Sequence, residues 1–261
     1  MARAKAAANT AEKPAYYTAT LGKGLDVLEA LAEVEEIALT ELAARLKSSN
    51  ATLFRILATL AHRGYVEKLP QSGRYRLTLR SWQLGARALG RIALRDVALE
   101  PMRALAARIN ESPHLGVLDG DGVVIVEKVE CTQPVRVDTY VGQRAPAHCS
   151  ALGKIILAFA DRETVDAAWQ PQRYTRSTVV ERDAFDRELA TIRRQGYAVN
   201  RGEWREGVCA VAVVLTEHDG KVAAGLSLTL PTARFDDVAL QETLLPALRQ
   251  TAKSIERALG R

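Results

Sequence analysis

Asn50-Ala51-Thr52-Leu53-Phe54-Arg55-Ile56-Leu57-Ala58-Thr59-Leu60-Ala61-His62 decides how the first part of this chain folds. Leu53, Ile56, Leu57 and Leu60 recur at i, i+3, i+4 and i+7, the spacing of one buried helix face. At about 100° per residue, Ala51, Arg55, Ala58 and His62 fall opposite, with Thr52, Phe54 and Thr59 on the flanks. That outer face carries no acid, one Arg, hydroxyls and small side chains. Such a face can approach base edges closely, with Arg55 on guanine or phosphate and Phe54 on a thymine methyl. The same pattern also suits an ordinary amphipathic helix in a three-helix bundle, with Phe54 under a neighbouring hairpin.

Upstream, Lys47-Ser48-Ser49 reads as a turn. Before it comes a short helix carrying Leu42, Ala43 and Leu46, with Thr40 as its cap. An earlier helix starts near Leu21, where Leu21, Leu25, Leu28 and Ala32 form one stripe. Downstream, Gly64 closes the long helix. Tyr65–Lys68 and Tyr75–Leu77 then flank a turn containing Pro70 and Gly73, a β-hairpin signature. Helix, short helix, turn, helix, hairpin is the order of a winged helix-turn-helix, whose third helix enters the major groove of double-stranded DNA. Lys47, Ser49, Asn50, Ala51, Thr52, Phe54, Arg55 and Thr59 are the candidate groove contacts. Arg74 and Arg76 on the hairpin are the candidate phosphate contacts.

Charge agrees with this reading. Residues 1–95 carry a balance of +7, and the remainder carries −2. A basic third beside a slightly acidic remainder suits a polyanionic partner. With 261 residues, 48% hydrophobic and 26% charged, the chain is long enough for two packed domains. No window approaches the roughly 18 uncharged apolar residues of a membrane span. The first residues lack the apolar stretch of a secretory signal. Three cysteines are too few for a disulfide framework, so a reduced, cytoplasmic setting is expected.

After Ser112-Pro113 strands take over. Leu115–Leu118 and Val123–Val129 flank Asp119-Gly120-Asp121-Gly122 as a hairpin. Val135, Val137, Thr139 and Val141 alternate with Arg136, Asp138 and Tyr140, the pattern of a half-buried strand. Ser150–Ala160, Arg162–Trp169 and Arg182–Arg194 read as helices. Val208–Leu215 and Lys221–Leu230 form a second hairpin, and a helix carrying Leu244, Leu248 and Ile255 ends the chain. This order suits an antiparallel sheet packed on helices, an α+β fold.

At this point the chain resembles the IclR-type bacterial transcriptional regulators. The residues are Leu39-Thr40-Glu41-Leu42-Ala43, the run from Ala51 to Leu60, Gly64-Tyr65-Val66 and Gly73-Arg74-Tyr75-Arg76-Leu77. Farther on they are Ala147-His148-Cys149-Ser150-Ala151-Leu152-Gly153-Lys154, Gly207–Ala212 and Leu226–Thr229. Order and spacing together make the match specific over residues 20–259. Two departures stand out. The turn that is commonly Gly-Leu-Pro-Lys reads Lys47-Ser48-Ser49-Asn50. The position that often holds Cys or Ser is Ala210, with Cys209 before it.

The resemblance implies a winged helix-turn-helix at 18–80 after a flexible arm at 1–17. A linker helix at 81–95 and a GAF-like effector-binding domain at 96–261 would follow. It implies homodimers or homotetramers on DNA. The linker's Trp82, Leu84, Leu89 and Ile92 are apolar enough to pair with a second copy. It also implies an effector site involving Val137, Ala145, Ala151, Leu152, Glu203, Val208, Ala210, Ser227 and Thr229. Strand alternation decides whether Cys209 belongs there.

Ser150 sits where a helix begins, and the first N–H groups of a helix favour a carboxylate. The expected effector is therefore a small organic acid, aromatic acids included. The plainer reading is that Ser150 only caps and Gly153 only permits close packing. Catalysis is not expected: His148, Cys149 and Ser150 are adjacent, a poor arrangement for a nucleophile and its base. No pair among His114, Cys131, His148, Cys149 and Cys209 has zinc-finger spacing, so neither metal nor cofactor is expected. The rival reading is a GAF-like sensor or enzyme domain whose helical head makes protein contacts.

Overall fold

The computed structural model describes residues 15–89, 93–217 and 220–259. Most of the expected arm and Ile92 lie outside these residues. The chain divides into two compact units, Met1–Ala88 and Leu89–Arg261.

The first unit holds α1 (Ala19–Ala32), α2 (Leu39–Arg45), α3 (Asn50–His62), β1 (Val66–Lys68), β2 (Tyr75–Leu77) and most of α4 (Leu79–Leu89). Leu53, Ile56 and Leu57 of α3 are buried against Val27, Ala30 and Leu31 of α1 and against Leu42 and Ala43 of α2. Each of the Leu, Ile and Val side chains among them contributes roughly 1.5–3 kcal/mol of burial. The stripe expected on α1 is a correction: Leu21 and Leu25 are exposed, and Val27, Ala30 and Leu31 face the core instead. The cap of α2 is another. Ala38 holds that position, its N–H donated to the Glu41 carboxylate at 3.3 Å, and Thr40 lies inside the helix. Strands β1 and β2 pair antiparallel, Val66 opposite Leu77, and Ile37 adds a bridge to Tyr75. Gly64 and Gly73 take positive φ, +76° and +69°, at the two places where the chain turns into and around the wing.

The second unit is built on a six-stranded antiparallel sheet. Its strands are β3 (Ser112–Asp119), β4 (Gly122–Lys128), β5 (Arg144–Pro146), β6 (Ala198–Arg201), β7 (Val208–Thr216) and β8 (Val222–Pro231), in the order β5-β4-β3-β8-β7-β6. One face packs on α5 (Ala93–Ile109) and α10 (Leu245–Leu259), the latter reached through the short α9 (Asp237–Ala239) and a π turn. Leu115, Val211, Val213, Leu226 and Leu228 fill that side. The other face packs on α6 (Ala151–Phe159), α7 (Arg162–Ala168) and α8 (Arg182–Gln195), against Val123, Ala210 and Ala212.

The expected strand at 135–141 does not form. Val135, Arg136, Asp138 and Tyr140 are exposed and no sheet partner takes the segment up, but Thr139 is buried. With Thr139 buried and Val137 half-buried, the segment lies on the sheet unit as an irregular cover, not in a ladder. No helix among the described residues is long and apolar enough to cross a membrane.

Candidate nucleic-acid face and ligand site

On α3 the residues opposite the core stand in solvent: Asn50, Ala51, Arg55, Ala58, Thr59 and His62 are all exposed. Phe54 is 55% exposed, so it is not tucked under the hairpin. Ser49 caps the helix. Its hydroxyl accepts the Thr52 N–H at 3.2 Å and donates to Thr52 Oγ1 at 2.9 Å. The Thr59 hydroxyl donates to the Arg55 carbonyl at 3.0 Å. Lys47 lies in the turn between α2 and α3 with φ +47°, in the left-handed region, and its side chain is exposed. The wing arginines are engaged within their own unit. Arg74 pairs with Glu41 at 2.6 Å and with Glu36 at 3.3 Å, and Arg76 pairs across the hairpin with Glu67 at 2.7 Å.

In the second unit α6 starts against the sheet. The Ser150 hydroxyl accepts the Gly153 N–H at 3.1 Å, and its carbonyl accepts the Lys154 N–H at 2.9 Å. The N–H groups of Ala151 and Leu152 come first in the helix, with no carbonyl of the same helix to take them. Gly153 also has the packing role that its type suggests. A Cβ there would sit 2.2 Å from the Ala147 carbonyl oxygen. Gly116 and Gly225 let Leu152 rest on the sheet, since a Cβ on either would come within 2.9 Å of a Leu152 methyl.

Strand alternation then sorts the expected site residues. Gly225, Ser227 and Thr229 share the α6 face of β8, and Leu226 and Leu228 face α5 and α10. Ala210 lies opposite Thr229, and Ala212 opposite Ser227. Val208, half-buried, begins the same row, and Ala145, buried on β5, pairs with Val123. Val137 is half-buried on the irregular cover. Cys209 is a correction: it points the other way, into the core beside Leu230 and Phe235, with Sγ 3.5 Å from Thr232 Oγ1. The one-residue step from Ala210 turns it away from α6.

Glu203 is fully engaged. Lys154 Nζ, entirely buried, donates to Glu203 Oε1 and Oε2 at 2.6 and 2.7 Å, to Glu188 at 2.7 Å and to the Val199 carbonyl at 2.8 Å. Burial raises the Glu203 carboxyl, and the Lys154 ammonium works against that rise. An ammonium has three protons, so Lys154 has none to offer a ligand. Its work is to tie the β6–β7 connection to α6. Asn200 does the same at the other end, donating to the Cys149 carbonyl at 2.7 Å and accepting the Glu203 N–H at 3.0 Å.

Three more buried polar groups lie nearby: His148 and Cys149 immediately precede α6, and His114 shares the sheet face that α6 covers. His114 of β3 lies opposite Ser227 in the ladder, with Nε2 2.7 Å from the Thr139 hydroxyl. Burial, with Lys128 nearby, lowers its pKa to about 4, so the ring is neutral. His148 donates from Nε2 to the Gln172 carbonyl at 3.0 Å, and burial lowers it too. Burial pushes the Cys149 thiol up to about 12, so it stays protonated and non-nucleophilic at neutral pH. Two cavities lie elsewhere. One of about 470 Å³ is lined by Leu118, Ile156, Phe159 and Val222, and one of about 300 Å³ by Thr175, Arg201, Cys209 and Phe235. Neither is lined by Ala151, Leu152, Ser227 or Thr229.

Comparison with known proteins decides the family. The family profile described as "Bacterial transcriptional regulator IclR C-terminal" matches residues 86–257, and the "IclR helix-turn-helix domain" matches residues 20–70. The chain belongs to the IclR family. The HTH-type transcriptional regulator KdgR of Escherichia coli K12 is 36% identical over 91% of each chain. The crystal structure of the Thermotoga maritima IclR superposes with a TM-score of 0.75 at 26% identity, over 93% of this chain and 99% of that one. An IclR homologue from Microbacterium hydrocarbonoxydans, crystallised with 4-hydroxybenzoate, superposes with a TM-score of 0.77 at 28% identity, over 92% and 99%. The IclR chain described here is thus a transcriptional regulator rather than an enzyme, with a DNA-binding helix-turn-helix and an effector-binding domain.

Sequence reasoning placed α3 and the α6–β8 face but assigned no site role to His114, Thr139, Asn200 or Lys154. His114 carried one available signal: it lies two residues before Gly116, so both share a strand face.

Proposed function

We propose that this regulator binds its operator as a homodimer or homotetramer and changes that binding in response to a small organic acid in the cytoplasm. The observation that carries the acid is the capped start of α6, a helix packed on the sheet face that also carries Ser227 and Thr229. The effector carboxylate sits on the Ala151 and Leu152 N–H groups, where the helix dipole favours negative charge. The Ser227 and Thr229 hydroxyls complete its hydrogen bonds, and its apolar body rests on Val137, Ala145 and Val208. Lys154 is already saturated, so the helix start does the work that a free cation does elsewhere. The relative crystallised with 4-hydroxybenzoate supports an acid, aromatic acids included. Ser227→Ala and Thr229→Ala should each weaken acid binding about tenfold and leave operator binding without effector unchanged. Calorimetric titration with the acid that stabilises the wild type tests this. Normal binding by both variants, or stabilisation by neutral compounds only, would place the effector elsewhere.

On the DNA side, Arg55 reads or anchors the major groove from the centre of the exposed α3 face, between Ala51 and Ala58. Ser49, Asn50, Thr52, Phe54 and Thr59 flank it. The wing has a lesser part, because Arg74 and Arg76 must give up carboxylate partners to reach phosphate. The second copy would pair through α4, where Trp82 is 70% and Leu84 61% exposed. Exposed Leu21 and Leu25 add apolar surface on α1.

A further inference from the structure

His114 is 1% exposed and only one side of its ring is engaged. Nε2 is held by Thr139, but Nδ1 is buried with no hydrogen-bond partner among the described residues. The Ser112 carbonyl lies close enough to the ring to favour its protonated form, but the contact falls short of a well-aligned hydrogen bond to Nδ1. Buried polar atoms left unpaired are rare, and each asks for a reason. The ring's position supplies one. His114 shares its strand face with Gly116, on which Leu152 of α6 rests, and its ladder partner is Ser227. The ring therefore lies on the α6 face of the sheet, on the residue directly across the ladder from Ser227, whose hydroxyl is assigned above to the effector carboxylate.

We propose that His114 Nδ1 recognises a hydroxyl of the effector, so that the regulator responds to hydroxy acids and discriminates against their deoxy analogues. This rests on the effector site proposed above and adds the second polar group that the ligand must carry. A hydroxyl both donates and accepts, so it satisfies Nδ1 in either tautomer of the ring. A second carboxylate fits poorly. The imidazole is neutral, Lys154 is saturated, and an uncompensated buried charge is costly. An alkyl or unsubstituted aryl group would leave Nδ1 unpaired. Thr139 is a positioning residue: its hydroxyl fixes the ring from the irregular cover, and Lys128 fixes that cover by donating to the Thr139 carbonyl. A site built to bond a hydroxyl rejects the analogue that lacks it more strongly than an apolar pocket rejects a missing methylene.

The test uses two matched pairs on the full-length protein, 4-hydroxybenzoate with benzoate and D-gluconate with hexanoate, read by thermal shift and calorimetry. In at least one pair the wild type should bind the hydroxylated member about tenfold more tightly. His114→Phe, close to imidazole in shape but without its nitrogens, should abolish that preference while still binding the deoxy acid. His114→Asn, which keeps a polar atom near the Nδ1 position, should retain part of it, and serves if the Phe variant does not fold. Thr139→Val should reduce the preference by loosening the ring. If acids bind and Ser227→Ala weakens them, but each pair binds equally or His114→Phe keeps the preference, the His114 assignment is wrong and the effector site stands. If Ser227→Ala and Thr229→Ala leave acid binding untouched, the site itself is wrong. Binding of none of the four acids overturns the hydroxy-acid proposal, water then being the partner of Nδ1.

Discussion

Arg55 is the residue on which the proposed DNA recognition turns. Arg55→Ala should cost about 1–3 kcal/mol of operator affinity in a folded protein, measured by fluorescence anisotropy. Unchanged affinity would move recognition off this face. Lys47 makes a second residue-scale case. Its φ of +47° is a conformation that suits glycine, and the related turn commonly holds glycine there. Strain kept at a charged, exposed position next to the recognition helix points to a use for the charge. Lys47→Gly should raise stability by roughly 1 kcal/mol and lower the salt slope of operator binding by about one unit. An unchanged slope would leave the lysine without a phosphate. His114 sets a pH dependence. Its pKa falls from 6.5 to about 4 on folding, so the unfolded chain binds more protons between these values. Stability is therefore lost as pH drops from about 6.5 toward about 4, by on the order of 3 kcal/mol from this group. His148 is lowered as well and adds the same sign. In His114→Phe, chemical denaturation at pH 7 and pH 5 should show a smaller difference than in wild type. An equal difference would mean that the ring is not buried neutral.

At the scale of elements, α3 and α6 position the chemistry, and both were legible in the sequence for different reasons. Helix α3 has a capping Ser49, a clean i, i+3, i+4 face and Gly64 just beyond its end, so its limits follow from local signals alone. Helix α6 is apolar nearly all round, because Ala151 to Ala158 are all buried, and it announces itself through Ser150 and its length. Three features needed tertiary information. The stripe on α1 has two leucines outside the core, because periodicity alone cannot say which of two apolar faces packs. The segment 135–141 alternates like a strand but meets no partner edge. The buried pairs Lys154–Glu203 and His114–Thr139 join residues far apart in the chain, and no local pattern announces such a contact. Gly153 tests the packing of α6 directly. Gly153→Ala brings a Cβ against the Ala147 backbone and should cost roughly 1–3 kcal/mol. It should also weaken acid binding, because the Ala151 and Leu152 N–H groups move with the helix start. Full stability in a melting experiment would mean that the Ala147 segment yields freely.

For the whole molecule, one winged helix covers too little DNA for strong discrimination, and paired half-sites are the usual remedy. Sedimentation should therefore show a dimer or tetramer at micromolar concentration, and Trp82→Glu with Leu84→Glu should shift it toward monomer. A wild-type monomer, free and on DNA, would contradict the assembly. On the proposed reading the two units hold two separable kinds of recognition, charge and groove shape in the first, a small polar site in the second. A regulator needs them linked, so that the acid binds one DNA-binding state better than the other. The most direct test is an anisotropy titration of the protein on the promoter region upstream of its own gene, against a scrambled fragment, with and without the stabilising acid. The account predicts tight, salt-dependent binding to the promoter alone, an affinity that the acid shifts fivefold or more, about 1 kcal/mol of coupling, and loss of that shift in Ser227→Ala. Equal binding to both fragments, or an operator affinity indifferent to an acid that binds the protein, would contradict it.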